Sequence, residues 1–252
     1  MRPTVRSQLF PALAVACCLL TVGCASTPPA TDKHRATMHF PAGVTGRAGP
    51  GGQAAGAIPG LGPQTRAQIP DDSRQVLVVS GNPETTTSHA SATLYTRTGK
   101  ADWLRLVGPW PARNAVDGWT LDHEAGDLRS PIGVFTLGDA GGLLPNPGTK
   151  LPYDQDEEFR EAGTGFYGES LEGTFDYVLA IDYNRRPGFS PLDKVRPLGE
   201  EKGGGLWVHV DHEGPTNGCV ALPRSQMRQL LRLLDPQDRP VIVMGPAPEL
   251  LR

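Results

Sequence analysis

From Gln75 to Met244 the apolar residues come in short runs, and each run is closed by glycine, proline or a polar turn. Runs of that length suit strands; an amphipathic helix needs its apolar positions to recur every three or four residues over a longer stretch. Gln75 to Ser80 (QVLVVS) is β-branched, while Ser91 to Arg97 (SATLYTR) and Trp103 to Val107 alternate polar and apolar. Turns at Gly81-Asn82-Pro83 and Thr98-Gly99-Lys100 predict that these first strands are antiparallel. Further strands are predicted at Ile132 to Leu137, Tyr177 to Tyr183, Leu206 to Val210 and Pro240 to Met244. Only Arg224 to Leu234 reads as a helix, with Met227, Leu230, Leu231 and Leu234 on one face. Pro223 and Asp235-Pro236 punctuate its ends. Leu143 to Leu171 reads as a long loop with a helical turn near Asp156 to Ala162. The 31 glycines and 25 prolines of the 252-residue chain fit this mostly β reading.

The N-terminus reads as a targeting segment. Arg2 and Arg6 form a basic start, and Leu9 to Leu20 is apolar but too short to span a bilayer comfortably. Thr21-Val22-Gly23-Cys24 resembles a bacterial lipobox, with Thr21 where leucine is usual. The expectation is a signal peptide over 1–23 and lipidation of Cys24; an ordinary secretory signal is the alternative. Either exports the protein, to the cell surface or a periplasm-like space. Its membrane contact is then only through a lipid anchor on Cys24. Residues 24–73 are rich in Pro, Gly, Ala and Thr and read as a flexible linker, with an expected reach of about 35–40 Å. Met38, Phe40 and Ile58 are its apolar exceptions. The folded domain is expected over 74–246. The net charge of -3 and scattered basic residues give no nucleic-acid signal.

Of the four cysteines, Cys17, Cys18 and Cys24 lie in or beside the export signal, which leaves Cys219 in the folded body. An internal disulfide is therefore excluded there. A lone thiol in an exported protein is either a buried inert side chain or a reactive one, and composition leaves both open.

The stretch from Gly205 to Pro223 (GLWVHVDHEGPTNGCVALP) carries the chemistry. A strand delivers His209, a Gly/Pro turn follows, and Asn217-Gly218 presents Cys219 ahead of the predicted helix. A thiol near a helix start is favoured as thiolate, and a nearby imidazole would activate it. Gly218 permits close approach, so the Gly218 and Cys219 amides are candidates for an oxyanion hole. Strand alternation puts Leu206, Val208 and Val210 on one face and Trp207, His209 and Asp211 on the other. This favours His209 over His212 as the base; His212 falls in the turn and is expected to be solvated. A zinc site from His209 and His212 lacks helical register, and no metal or cofactor is expected.

These residues resemble the active-site motif of the L,D-transpeptidase (YkuD-type) catalytic domain family. There a strand histidine precedes Ser/Thr-His-Gly-Cys and an aliphatic residue. Here the positions are His209 and Thr216-Asn217-Gly218-Cys219-Val220. An upstream segment, Glu124-Ala125-Gly126-Asp127 to Ser130-Pro131-Ile132-Gly133-Val134-Phe135, is similar to the family's Glu-Gly-Asp-Gly-x-Thr-Pro-x-Gly-x-Phe. Asn217 replaces the motif histidine, which touches no core role if His209 is the base; Ala221 replaces a frequent arginine and the spacing from His209 to Cys219 is short, and these two departures bear on substrate specificity.

The resemblance implies a β-sandwich or barrel with one helix after the active-site cysteine. It also implies a peptidoglycan L,D-transpeptidase acting on stem peptides. Cys219 would form a thioester, His209 would be the general base, and the Val210 carbonyl would orient it. Thr216 and Asn217 would support the site. Capture by an amine makes a crosslink, and capture by water makes a carboxypeptidase. Another exported cysteine hydrolase and an inactive wall-binding lipoprotein are the alternatives. Tyr183 and Asn184 end the strand before the histidine strand and are weak candidates for lining the cleft. Arg185 and Arg186 read as a solvated pair, with contact to a substrate carboxylate as the alternative. His89 and His123 carry no usable signal.

Overall fold

The computed structural model describes residues 56–82 and 88–252. Cys24, the expected export signal, Met38, Phe40 and most of the expected linker lie outside the described residues.

The elements in chain order are α1 (Pro63–Ala67), β1 (Gln75–Gly81), β2 (His89–Thr96), β3 (Leu104–Arg113), β4 (Trp119–Thr120), β5 (Ser130–Pro131), β6 (Gly133–Thr136), β7 (Ala140–Gly142), β8 (Tyr153–Gln155), β9 (Val178–Ala180), β10 (Trp207–Val210), β11 (Val220–Leu222), α2 (Arg224–Leu233), β12 (Val241–Pro246) and α3 (Ala247–Leu250). Ten strands form one curled sheet in the order β6-β12-β1-β2-β3-β11-β10-β9-β7-β8, and β4 pairs with β5 alone. Among the described residues the fold is mostly β, with α2 the longest helix. β1, β2 and β3 are antiparallel neighbours, as their turns predict. No local pattern in the sequence marks the two-residue strands β4 and β5, nor β7, β8 and β11. β8 lies within the stretch read as loop, and β7 and β11 are three residues each, too short for any period to show.

Four pairings are parallel, β4 with β5, β7 with β8, β1 with β12 and β10 with β11, and the last two shape the core and the site. The pairing of β1 with β12 explains the unbroken apolar runs VLVV and VIVM, because strands covered on both faces need not alternate. Leu77, Val79, Ile242 and Met244 enter the main core with α2's Met227, Leu230 and Leu231. Val76, Val78, Val241 and Val243 face a second cluster, closed by Ile58, Leu61 and Leu250. The expected linker boundary is thereby corrected. Residues from Gly56 to Ser73 belong to the folded body, because the outer face of β1 and β12 needs an apolar cover. The Gly62 amide donates to the Leu250 carbonyl at 2.8 Å, and the Gln64 amide to the Arg252 carbonyl at 3.0 Å. A Cβ on Gly62 would lie 2.0 Å from the Leu251 oxygen, so only glycine passes there.

Candidate active site

β10 and β11 are joined by Asp211–Cys219, a tighter connection than the dozen or more residues that usually separate parallel strands. The Asp211 carboxylate accepts the Glu213 amide at 2.9 Å and lies 3.2 Å from Arg113 Nε. Farther on, Thr216 bridges to Ala115. Its amide donates to the Asn114 carbonyl at 3.1 Å, and its own carbonyl accepts from the Val116 amide at 3.0 Å. The Thr216 hydroxyl donates to the Cys219 carbonyl at 2.7 Å and accepts from the Gly218 amide at 3.3 Å. A Cβ on Gly218 would lie 2.8 Å from Leu206 Cδ2, so a side chain there would have to displace Leu206.

The second motif supports this turn from behind. The buried Ser130 hydroxyl accepts the Ala115 amide at 3.0 Å, on the segment that holds Thr216. Phe135 lies over Gly133, where a Cβ would be 2.9 Å from its ring. His123, without signal in the sequence, is buried 3.0 Å from Asp127 and packs behind Gly218.

Register puts the two candidate catalytic side chains on one face. Val208 is level with Val220 and His209 with Ala221. Cys219 therefore stands level with Trp207, diagonal to His209, at the spacing of about 7–8 Å that a long side chain can bridge. The Trp207 amide donates to Cys219 Sγ at 3.3 Å. Both His209 and Cys219 line a cavity of about 390 Å³, with Thr216, Asn217 and His212.

His209 is 2% exposed. Its Nδ1 is 2.9 Å from the Val210 carbonyl. A carbonyl can only accept, so Nδ1 carries the proton and Nε2 is left with a lone pair. The edge of Phe175 holds one side of the ring at 5.3 Å, and the ring of His212 stacks on it at 5.8 Å and 9°. Burial pulls the His209 imidazole down to about 4. Burial also pushes the Cys219 thiol up to about 11, against the Trp207 amide. The expectation of a helix-activated thiolate is corrected, because β11 stands between Cys219 and α2. The resting pair is a neutral thiol and a neutral imidazole.

Other expectations are also corrected. His212 is not solvated: its side chain is 5% exposed and its Nδ1 lies 3.2 Å from Glu169 Oε1. Asn184 spends its amide on the Gly199 and Gly203 carbonyls and accepts the Leu198 amide, while the Tyr183 hydroxyl donates to the His123 carbonyl. Neither lines the cavity with Cys219. Arg185 is buried between Asp139 and Asp182. Arg186 pairs with Asp193 and lies over the Phe189 ring.

The cavity's outer wall comes from the stretch read as loop. Glu161, Thr164, Gly165, Phe166 and Leu171 line it. Thr164 and Ser170 pair as an antiparallel bridge, so this wall is a short hairpin laid over the histidines.

The family model of the L,D-transpeptidase catalytic domain (YkuD) matches residues 72–243. The chain belongs to this family. A search of the curated proteins finds no match. Membership makes this a cysteine-based, peptidoglycan-modifying type of domain, and the matched span contains both motifs and every residue that lines the cavity.

Proposed function

We infer that the protein is a peptidoglycan L,D-transpeptidase that crosslinks stem peptides through a thioester on Cys219. The observation that carries this reading is the placement of Cys219 and His209 on one face of adjacent parallel strands, in one cavity, with the imidazole tautomer set by the Val210 carbonyl. As Sγ attacks the carbonyl carbon of the donor stem, His209 Nε2 takes the thiol proton and returns it to the departing D-amino acid. Because both groups rest neutral, the proton moves as the S–C bond forms and no standing thiolate is needed. The Cys219 amide is the oxyanion donor nearest the attack; the Gly218 amide joins it by exchanging its 3.3 Å bond to Thr216. A side-chain amine of a second stem then takes the acyl group. An export signal over 1–23 with a lipid anchor at Cys24 would put the domain where that substrate is.

Incubation with muropeptides tests the reading. New dimers from the native chain, and none from Cys219→Ala, are expected. Shortened stems without dimers would turn the assignment to a carboxypeptidase, and identical products from both proteins would remove the enzymatic reading. A β-lactam of the carbapenem type should add its mass to the native chain and not to Cys219→Ala.

A further inference from the structure

The cavity holds a second imidazole that the mechanism so far does not use. His212 lines it beside His209, with the two rings nearly parallel. His212 Nδ1 faces the Glu169 carboxylate at 3.2 Å, and both side chains are largely buried. The Glu169 carboxylate is housed by two glycines from different segments: a Cβ on Gly165 would lie 2.1 Å from Oε1, and one on Gly214 would lie 1.6 Å away. Its other oxygen accepts the Tyr167 amide at 2.7 Å. Burial opposes the charge on Glu169, yet the backbone amides and His212 together hold its carboxyl below the usual range. A buried anion facing Nδ1 keeps the proton there and leaves Nε2 with a lone pair. The other charged groups around this ring are Asp211, paired with Arg113, and Glu161 on the cavity wall.

Resting on the transferase reading above, we propose that His212, oriented by Glu169, is the base that deprotonates the acceptor amine in the second half-reaction. An amine of ordinary pKa, about 10, arrives as an ammonium and must lose two protons to become an amide. His212 Nε2 takes the first and leaves a nucleophilic amine. The nitrogen lone pair attacks the thioester carbon, and His209 takes the second proton as the C–N bond forms. His209 then returns that proton to Sγ as the C–S bond breaks, which restores the thiol. The proton on His212 leaves to solvent. Each imidazole thus serves one partner, His209 the sulfur and His212 the nitrogen.

The test is a single-turnover assay on the full chain with a tetrapeptide-bearing muropeptide. Released D-amino acid reports acylation, and dimer reports transfer. His212→Asn keeps an N–H toward Glu169 and removes the base. Dimer formation at neutral pH should fall about 100-fold relative to the D-amino acid burst. That loss should narrow at alkaline pH, where solution supplies free amine. Glu169→Gln, which keeps the shape between Gly165 and Gly214, should shift the same readouts in the same direction; it carries the test if His212→Asn does not fold. Unchanged dimer formation, an equal fall of burst and dimer, or a loss that ignores pH would each overturn the proposal. A native protein that releases no D-amino acid would instead overturn the transpeptidase reading beneath it.

Discussion

The backbone amide of Trp207 donates to the sulfur of Cys219 at 3.3 Å, across two parallel strands joined by one tight turn. This contact fixes the height of the thiol on the sheet and also its chemistry. One amide does not offset burial, so the thiol rests near 11. Alkylation of Cys219 by iodoacetamide should therefore be slow at neutral pH. The thiolate fraction at a pKa of about 11 is roughly 100-fold below that of a cysteine near 9. The rate should climb with a midpoint near 11; a midpoint at the ordinary thiol value would refute the neutral, half-buried thiol.

His209 makes stability depend on pH. Its folded pKa of about 4 lies below the ordinary 6.5. Between those values the unfolded chain binds the proton and the folded chain does not. Stability thus rises with pH across that window and is lost as pH falls from 6.5 toward 4, by about 3 kcal/mol. Urea midpoints across the window should show this slope in the native chain and a flatter one in His209→Gln, which should also lose transfer activity.

Ser130 acts at a distance from the thiol. Its hydroxyl accepts the buried Ala115 amide, and that segment holds Thr216, whose hydroxyl holds the Cys219 carbonyl. Ser130→Ala leaves the amide without that acceptor and should cost about 1–3 kcal/mol of stability. Denaturant unfolding measures it. Activity should fall as well, through kcat more than KM, because the residue positions the turn without touching substrate.

Leu61 seals the second core cluster and is 2% exposed. Leu61→Ala should cost about 2–5 kcal/mol, read as a lower urea midpoint. A chain begun at Arg74 should be less stable than one begun at Gly56. Equal stability would return residues 56–73 to the linker.

Local chemistry made much of the fold readable. β1, β2, β3, β6, β9, β10 and β12 announce themselves by short apolar or alternating runs between turn residues, and α2 by Met227, Leu230 and Leu231 at helical spacing. β7 and β8 do not, because three residues such as Ala140–Gly142 carry no period and are strands only through their partners. His209 and Cys219 were also legible, one by alternation and the other by being the thiol left in the body. His212 was misread as solvated because its turn is polar, and nothing near it in sequence says that a hairpin covers it.

The sequence by itself determined a mostly β chain, its one well-marked helix, and the thiol and imidazole that family and geometry later brought together. Those properties are written within a few residues of each site. Only the tertiary structure decided that β10 and β11 run parallel, which sets Cys219 beside Trp207 and on the face of His209. It alone decided that Ile58 and Leu61 close the outer face of β1 and β12, and that Glu169 reaches His212 between two glycines. Each of these joins residues far apart in the chain, where burial and register choose the partner and no local pattern records the choice.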